Sequence, residues 1–146
     1  MTSSATCRDV VFAGLPATEL QLPCGDRVVV ARHGAHVLSW QAGGREHLYL
    51  SPKSVLDGQA AIRGGIPVCF PQFNMRGDLP KHGFARNLPW QPSPAHLGTD
   101  AAHLVMRLSD SDSTRRWWAQ AFEARLMIEL RRTRTMPVGH RIPFGT

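Results

Sequence analysis

Basic side chains are interspersed with bend-forming residues between Ala60 and Trp90, a pattern that suits an anion pocket. The basic residues are Arg63, Arg76, Lys81, His82 and Arg86. The bends come from Gly64, Gly65, Gly77, Gly83, Pro67, Pro71 and Pro80. Turns fix the direction of the arginine side chains, and each guanidinium group can bind two phosphate oxygens at once. Glycines allow the backbone to approach a ligand closely. The segment therefore predicts a rigid pocket for an anion.

Two motifs in this segment resemble the signature of one enzyme family. The first, A-I-R-G-G-I-P-V-C-F-P-Q-F, begins at Ala61, and the second, L-P-K-H-G-F-A-R-N-L-P-W, begins at Leu79. Together they are similar to the hexose-6-phosphate mutarotases, the glucose-6-phosphate 1-epimerase branch of the aldose 1-epimerase superfamily. The similarity extends from about Val28 to about Leu130. It implies an isomerase that interconverts the α and β anomers of hexose 6-phosphates, chiefly glucose 6-phosphate, without a cofactor.

Anomer interconversion requires the sugar ring to open. A general base takes the proton of the anomeric hydroxyl, and a general acid protonates the ring oxygen. The phosphate is remote from these steps and serves as a handle that orients the ring. The resemblance implies that Arg63 and Arg86 bind the substrate, and we expect them to hold the phosphate. In the alternative interpretation, each arginine pairs with a structural carboxylate such as Asp57 or Asp78.

Lys81 and His82 are the other candidates for substrate binding. Lys81 occupies a position where the family more often has a glutamine that contacts substrate; a solvated loop lysine is the alternative. The resemblance places His82 in the pocket near the anomeric centre, where it would be an auxiliary catalytic group. The alternative is a structural histidine whose hydrogen bonds are made within the protein.

The main catalytic residues remain unassigned. The resemblance implies that the principal acid, a histidine, and the principal base, a glutamate, come from a later part of the family's chain. No glutamate follows Glu129, and His140 does not match the family's histidine motif. We therefore expect a chain truncated after about Leu130. The alternative function is a non-catalytic fragment that binds sugar phosphates or other carbohydrates.

The domain prediction is a partial mutarotase-like β domain at 1–130 and a discordant, disordered basic tail at 131–146. The 146 residues suit one domain. The net charge is +6, and the tail's four arginines, without any acid, account for most of it. Nucleic-acid binding by this tail ranks last among the functions considered, because the tail lacks an aromatic stacking platform. The partner predicted is a hexose 6-phosphate, with neither nucleic acid nor a membrane.

Frequent glycines and prolines favour many short strands over long helices. Six strands are predicted: 9–13, 18–23, 27–32, 37–41, 46–50 and 102–108. A short strand at 66–70 and a helical turn near 115–118 are also expected. Residues 121–130 have helix propensity but alternate strictly in polarity, and we choose a strand. The fold predicted is all-β, the N-terminal portion of a galactose-mutarotase-like β-sandwich (supersandwich). Unpaired strands in such a fragment predict self-association.

The cysteines and remaining histidines indicate no metal site. Cys7, Cys24 and Cys69 lack C-x-x-C spacing, which fits reduced thiols and a cytoplasmic location. The remaining histidines have no ligand spacing and are interpreted as incidental: His33, His36, His47, His96 and His103. There is no apolar run long enough for a membrane span and no secretory signal pattern.

Overall fold

The computed structural model describes residues 3–132, which fold into two antiparallel β-sheets. The first sheet is a five-stranded meander whose strands are hydrogen-bonded in sequence order. Its strands are β1 (Thr6–Phe12), β2 (Leu15–Gln21), β3 (Arg27–Ala31), β4 (Val37–Ala42) and β5 (Arg45–Glu46). Short turns such as Gly43–Gly44 connect neighbouring strands, so the meander is built from local contacts.

The second sheet is centred on its longest pair of strands. Its strands are β6 (Gln91–Pro92), β7 (His96–Leu97), β8 (Ala101–Ser109) and β9 (Glu123–Arg131). β6 and β7 pair with one side of β8, and β9 pairs with the other. A single helical turn, α1 (Asp112–Arg115), connects β8 to β9 and is capped by the Ser111 side chain. The Ser111 and Thr114 side chains satisfy backbone N–H groups at its start.

The two sheets pack face to face around one apolar core. β3 contributes Val28 and Val30, while β8 and β9 contribute Met106, Ile128 and other fully buried side chains. In β8 and β9 alternate residues are buried, as expected where one sheet face meets a core. Burial of these side chains is the main stabilising contribution of the sandwich.

The outer face of the first sheet carries a second, smaller apolar cluster. Val29 and Ala31 of β3 contact this cluster, together with Leu38 of β4 and Ile62 from the following loop. β3 is therefore buried on both faces, as its β-branched sequence predicts. Ile62 anchors the loop that immediately precedes Arg63, so the outer face of this sheet supports the motif segment.

The all-β prediction is confirmed, and the choice of a strand at 121–130 agrees with β9. Two strand expectations are wrong. Residues 66–70 form only isolated bridges, Val37 with Ile66 and Phe70 with Gly83, because Pro67 and Pro71 have no N–H to continue a ladder. The strand expected at 46–50 ends at Glu46, whose carboxylate accepts the backbone N–H groups of Trp40 and His47. The helical turn begins three residues before the predicted one.

The structure describes only part of the predicted tail. Arg131 belongs to β9, whereas residues 133–146 of the predicted basic tail lie outside the described residues. Within the described range, no helix is long and apolar enough to cross a membrane.

Paired alanine substitutions in β9 test its alternation. Ile128 is fully buried, and Met127 is 41% exposed. We expect Ile128→Ala to lower the free energy of unfolding by about 2–5 kcal/mol, since it leaves a cavity between the sheets. Met127→Ala should change it by about 0.5 kcal/mol or less. Chemical denaturation of both variants measures the difference, and equal losses would contradict the strand's burial pattern.

Candidate functional site

All four residues predicted to bind substrate line one cavity. The cavity has a volume of about 500 Å³, and Arg63, Lys81, His82 and Arg86 form its polar wall. Lys53 adds a further cation, and Ile62 lies among the apolar lining residues. Among residues 3–132, no Asp or Glu lines the cavity. Cations without a carboxylate among them create a strongly positive site, which attracts anions. Arg76 is exposed and does not line the cavity.

Arg86 lies on a 3₁₀ turn, Ala85–Asn87, that is held from beneath by a buried tryptophan. The indole N–H of Trp90 donates to the Ala85 carbonyl at 2.9 Å. The Arg86 Nη2 group donates to the Lys81 carbonyl at 3.1 Å. Its Nε atom is buried and has no hydrogen-bond partner among the described residues. An unsatisfied buried donor is costly, and an anion entering the cavity would relieve that cost.

Arg63 is positioned by its backbone and is exposed at the side chain. Its N–H donates to the Ser54 hydroxyl at 3.0 Å, and its carbonyl accepts from the Ser51 N–H at 3.0 Å. Gly65 follows with φ +61°, and a Cβ there would lie 2.2 Å from the Val37 carbonyl oxygen. Gly83 is similarly close to Phe70. The motif glycines thus allow close packing against protein backbone, whereas the sequence pattern predicted close approach to a ligand.

The alternative in which the two arginines pair with carboxylates is not observed. Within residues 3–132, neither Arg63 nor Arg86 takes part in an ion pair, and neither do Asp57 and Asp78. Asp57 instead accepts the backbone N–H groups of Ala60 and Gln59, which lower its pKa. Both guanidinium groups therefore keep their charge uncompensated by a described carboxylate.

His82 has a defined tautomer. Its Nδ1 accepts the backbone N–H of Asn74 at 2.9 Å, and the backbone N–H of His82 donates to the Asn74 carbonyl at 3.0 Å. Desolvation lowers the pKa of His82, with smaller contributions from the positive charges of Arg86 and Lys81. The ring is therefore neutral near pH 7 and carries its proton on Nε2. That N–H makes His82 a hydrogen-bond donor at the cavity wall.

A buried glutamine, to which the sequence analysis assigned no role, organises the loop that carries Lys81 and His82. The Gln72 amide nitrogen donates to the carbonyls of Asn74 at 2.8 Å and Leu79 at 3.0 Å. Its amide oxygen accepts the Leu79 N–H at 2.9 Å. One side chain thus holds both ends of the loop. The P-Q-F motif contained this residue, but its partners could not be read from local pattern.

Two histidines interpreted as incidental hold the segment before and around Arg63. The ring of His33 bonds the Ala60 carbonyl at 3.0 Å, and His36 Nε2 bonds the Gly64 carbonyl. Since a carbonyl only accepts, each ring nitrogen donates an N–H. His36 is fully buried, and this desolvation is the main cause of its lowered pKa. Both histidines lie in the β3–β4 connection, which therefore supports the cavity floor.

The aromatic residues of the motifs have different surroundings. Phe70 packs against Phe84 and Phe122, with ring centroids 6.4 and 5.2 Å away, and also contacts Trp118. Phe70 therefore packs against the apolar core between the sheets. Phe73 is 64% exposed, and its ring centroid lies 5.2 Å from that of the His82 ring.

Gln72→Met tests the loop scaffold, since methionine has a similar shape but no amide. Losing the buried hydrogen bonds should destabilise the loop by about 1–3 kcal/mol. The Leu79 amide should then exchange with solvent about tenfold faster or more. Exposed Gln91 on β6 provides the matched Gln91→Met control. Unchanged exchange at Leu79 would refute the scaffold role.

The depressed pKa of His36 predicts acid sensitivity. The folded chain keeps this ring neutral, while the unfolded chain binds a proton near the ordinary pKa of 6.5. The stabilisation is complete above that pH and is lost as the pH falls below it, with a slope of at most about 1.4 kcal/mol per pH unit. Denaturation curves between pH 7 and 5 measure the slope. His36→Gln should flatten it, and an equally steep slope in this variant would contradict the assignment.

A family profile and several curated relatives assign this chain to the same family. The aldose 1-epimerase family profile matches residues 16–143. A protein of Escherichia coli (strain K12) named "Putative glucose-6-phosphate 1-epimerase" is 43% identical over 95 residues. That match covers 63% of this chain and 32% of the relative. The chain thus spans about a third of the length of the curated relatives it matches.

Solved structures agree with this relationship. A crystal structure from Salmonella typhimurium, titled a "putative mutarotase (YeaD)", superposes with a TM-score of 0.74 at 32% identity. The superposition covers 87% of this chain and 43% of that one. The Slr1438 protein of Synechocystis sp. PCC 6803 gives a TM-score of 0.63 at 30% identity, over 86% and 44% of the two chains. The fold is that of the mutarotase-like β-sandwich, and the chain belongs to the aldose 1-epimerase family.

Proposed function

We propose that this chain binds a hexose 6-phosphate in the Arg63–Arg86 cavity and acts in glucose-6-phosphate 1-epimerase chemistry. That chemistry interconverts the α and β anomers by acid–base opening of the sugar ring. The single observation that carries the proposal is the convergence of Arg63, Lys81 and Arg86 on one cavity that no described carboxylate lines. The names of the curated relatives support glucose 6-phosphate as the substrate.

The phosphate is assigned to the two arginines. Their guanidinium groups remain charged at any working pH and match phosphate oxygens in a bidentate geometry. Arg86 has a buried Nε without a described partner, so a phosphate oxygen would complete its hydrogen bonding. Lys81 adds a point charge at the same wall. Binding energy from the phosphate would orient the ring for chemistry at its remote anomeric carbon.

His82 is proposed as an auxiliary donor to the sugar. Its Nδ1 is occupied by the Asn74 N–H, so the neutral ring offers only its Nε2–H. This arrangement suits a hydrogen bond to a hydroxyl or ring oxygen, since a neutral imidazole with an occupied Nδ1 cannot accept a proton without losing that bond. The principal acid and base are not assigned to any described residue.

A second candidate is a non-catalytic fragment that binds sugar phosphates or other carbohydrates. The observation that favours it is the cavity lining, to which the described part of the chain contributes one histidine and no carboxylate that could act as the base. Such a fragment would retain phosphate affinity through Arg63 and Arg86 without accelerating ring opening. The two candidates therefore predict the same binding and different turnover.

Arg86→Ala separates phosphate recognition from general charge effects. Removing a charge-assisted contact should cost about 1.5–3 kcal/mol, which weakens glucose 6-phosphate binding about 10- to 100-fold. Arg116→Ala removes an exposed arginine outside the cavity and should leave affinity unchanged. Calorimetric titration with glucose 6-phosphate, and with glucose as the uncharged comparison, measures the effect.

Exchange NMR of the glucose 6-phosphate anomers with the same proteins decides between the candidates. Acceleration that Arg86→Ala removes would support the epimerase. If a chain shown to be folded by circular dichroism binds glucose 6-phosphate without accelerating anomer exchange, the result would support the binding fragment. Equal affinity of the native chain and Arg86→Ala would overturn the assignment of the cavity in both.

A further inference from the structure

The outer edge of β9 is a long strand edge that is neither shortened, bulged nor interrupted by proline. β9 pairs with β8 through nine consecutive residue pairs without a register shift. In the part of the chain that the structure describes, no strand pairs with its other side. Residues 123–131 include no Pro or Gly, and no bulge interrupts them. Natural edges are usually shortened, bulged, interrupted by proline or lined with charges. Only charges are present here, so this edge can pair with a strand whose charges complement them.

The odd-numbered residues of β9 present their backbone groups at this edge. The Phe122 carbonyl accepts from the Asp110 N–H at 3.1 Å, and the Arg132 N–H donates to the Asp100 carbonyl at 2.8 Å. Even-numbered positions therefore hydrogen-bond toward β8. Backbone groups alternate in direction along an antiparallel strand, so residues 123, 125, 127, 129 and 131 direct theirs outward. The side chains of these same residues form the exposed or half-buried face of β9.

The charges on that face are self-complementary about Met127. In order the residues are Glu123, Arg125, Met127, Glu129 and Arg131. If a second copy of β9 runs antiparallel with the two Met127 residues opposed, Glu123 faces Arg131 of the second copy. Arg125 then faces Glu129 of the second copy. Opposite charges directly across a pair of strands are stabilising, and each of these pairs occurs twice about the two-fold axis.

Neighbouring registers lack this complementarity. Centring the two strands on Leu126 opposes Glu123 to Glu129, and centring them on Ile128 opposes Arg125 to Arg131. Centring the strands on Arg125 opposes the two copies of Arg125, and centring them on Glu129 opposes the two copies of Glu129. Like charges directly opposite are destabilising, so the charge pattern selects the register centred on Met127.

The buried face of β9 is compatible with the same register. Ala124 would lie opposite Leu130 of the second copy, and Leu126 opposite Ile128 of the second copy. All four side chains are at most 5% exposed and pack in the core between the sheets. The pairing would therefore continue the apolar layer from one copy into the next.

We propose that two copies of this chain associate through β9, antiparallel about Met127, to form one continuous sheet. Each odd-numbered residue from 123 to 131 exchanges two backbone hydrogen bonds with its opposite residue. Glu123 contacts Arg107 and Arg125 of its own chain, and Glu129 contacts Arg131. Association adds a cross-strand cation to each of these carboxylates.

Charge reversal tests the pairing. Arg125→Glu opposes two carboxylates twice, so sedimentation equilibrium should show a dissociation constant about tenfold higher or more. The double variant Arg125→Glu with Glu129→Arg restores opposite charges and should restore the dimer. Arg125 lies across from Arg107 within its own sheet, so Arg125→Glu replaces a like-charge pair there and should fold normally.

Cysteine cross-linking tests the register, in a Cys24→Ser background that removes the exposed native thiol. The two Cα atoms at position 127 would be about 5.5 Å apart, which suits a disulfide. Met127→Cys should therefore yield a covalent dimer on oxidation. Arg125→Cys is the control, since its two copies would be four residues apart along the strands, roughly 13 Å.

Three results would overturn the proposal. A native chain that sediments as a monomer at the highest concentration it reaches excludes the dimer. A dimer that is equally stable in Arg125→Glu places the interface elsewhere. Cross-linking through position 125 and not 127 contradicts the register.

Discussion

Burial of β3 on both faces is the constraint on which the rest of the structure depends. Val28 and Val30 contact the core between the sheets, while Val29 and Ala31 belong to the smaller apolar cluster on the outer face. A strand buried on both sides needs apolar residues throughout. The same strand therefore joins the sandwich to the cavity loop. Ile62 in that outer cluster brings Arg63 to the cavity.

Four buried side chains hydrogen-bond to the backbone around the cavity. Gln72, His33, His36 and Trp90 donate to backbone carbonyls of the segments that hold the cations. Because none of these donors is an acid, they hold these segments without placing an anion of their own near the arginines. The positive charge of the cavity is thereby left for a ligand. Burial is the main reason that the pKa of His36 is lowered, since a cation there would lose its solvation, and repulsion by Arg86 adds to this.

The fold was more predictable from sequence than the support of the site. The meander follows from alternating or β-branched runs separated by glycine turns, and the predicted strands at 27–32 and 102–108 differ little from β3 and β8. The four cavity residues could be named because two motifs carry them. His36 and Gly64 are 28 residues apart, however, and no local period relates them. The strand expected at 66–70 failed because apolar content was given more weight than the missing N–H groups of its prolines.

The alternation that identified β9 as a strand also determines what its edge can do. Residues 121–130 have good helix formers, yet only a strand buries every second side chain, and burial outweighs propensity. The positions left outside then carry charges whose order matters only in a strand, because a helix would distribute them around its axis. Moving outward from Met127, the order on the N-terminal side is a base and then an acid, and on the C-terminal side it is an acid and then a base. A chain that spans about a third of its curated relatives thus carries, in one strand, both a core face and a face complementary to itself.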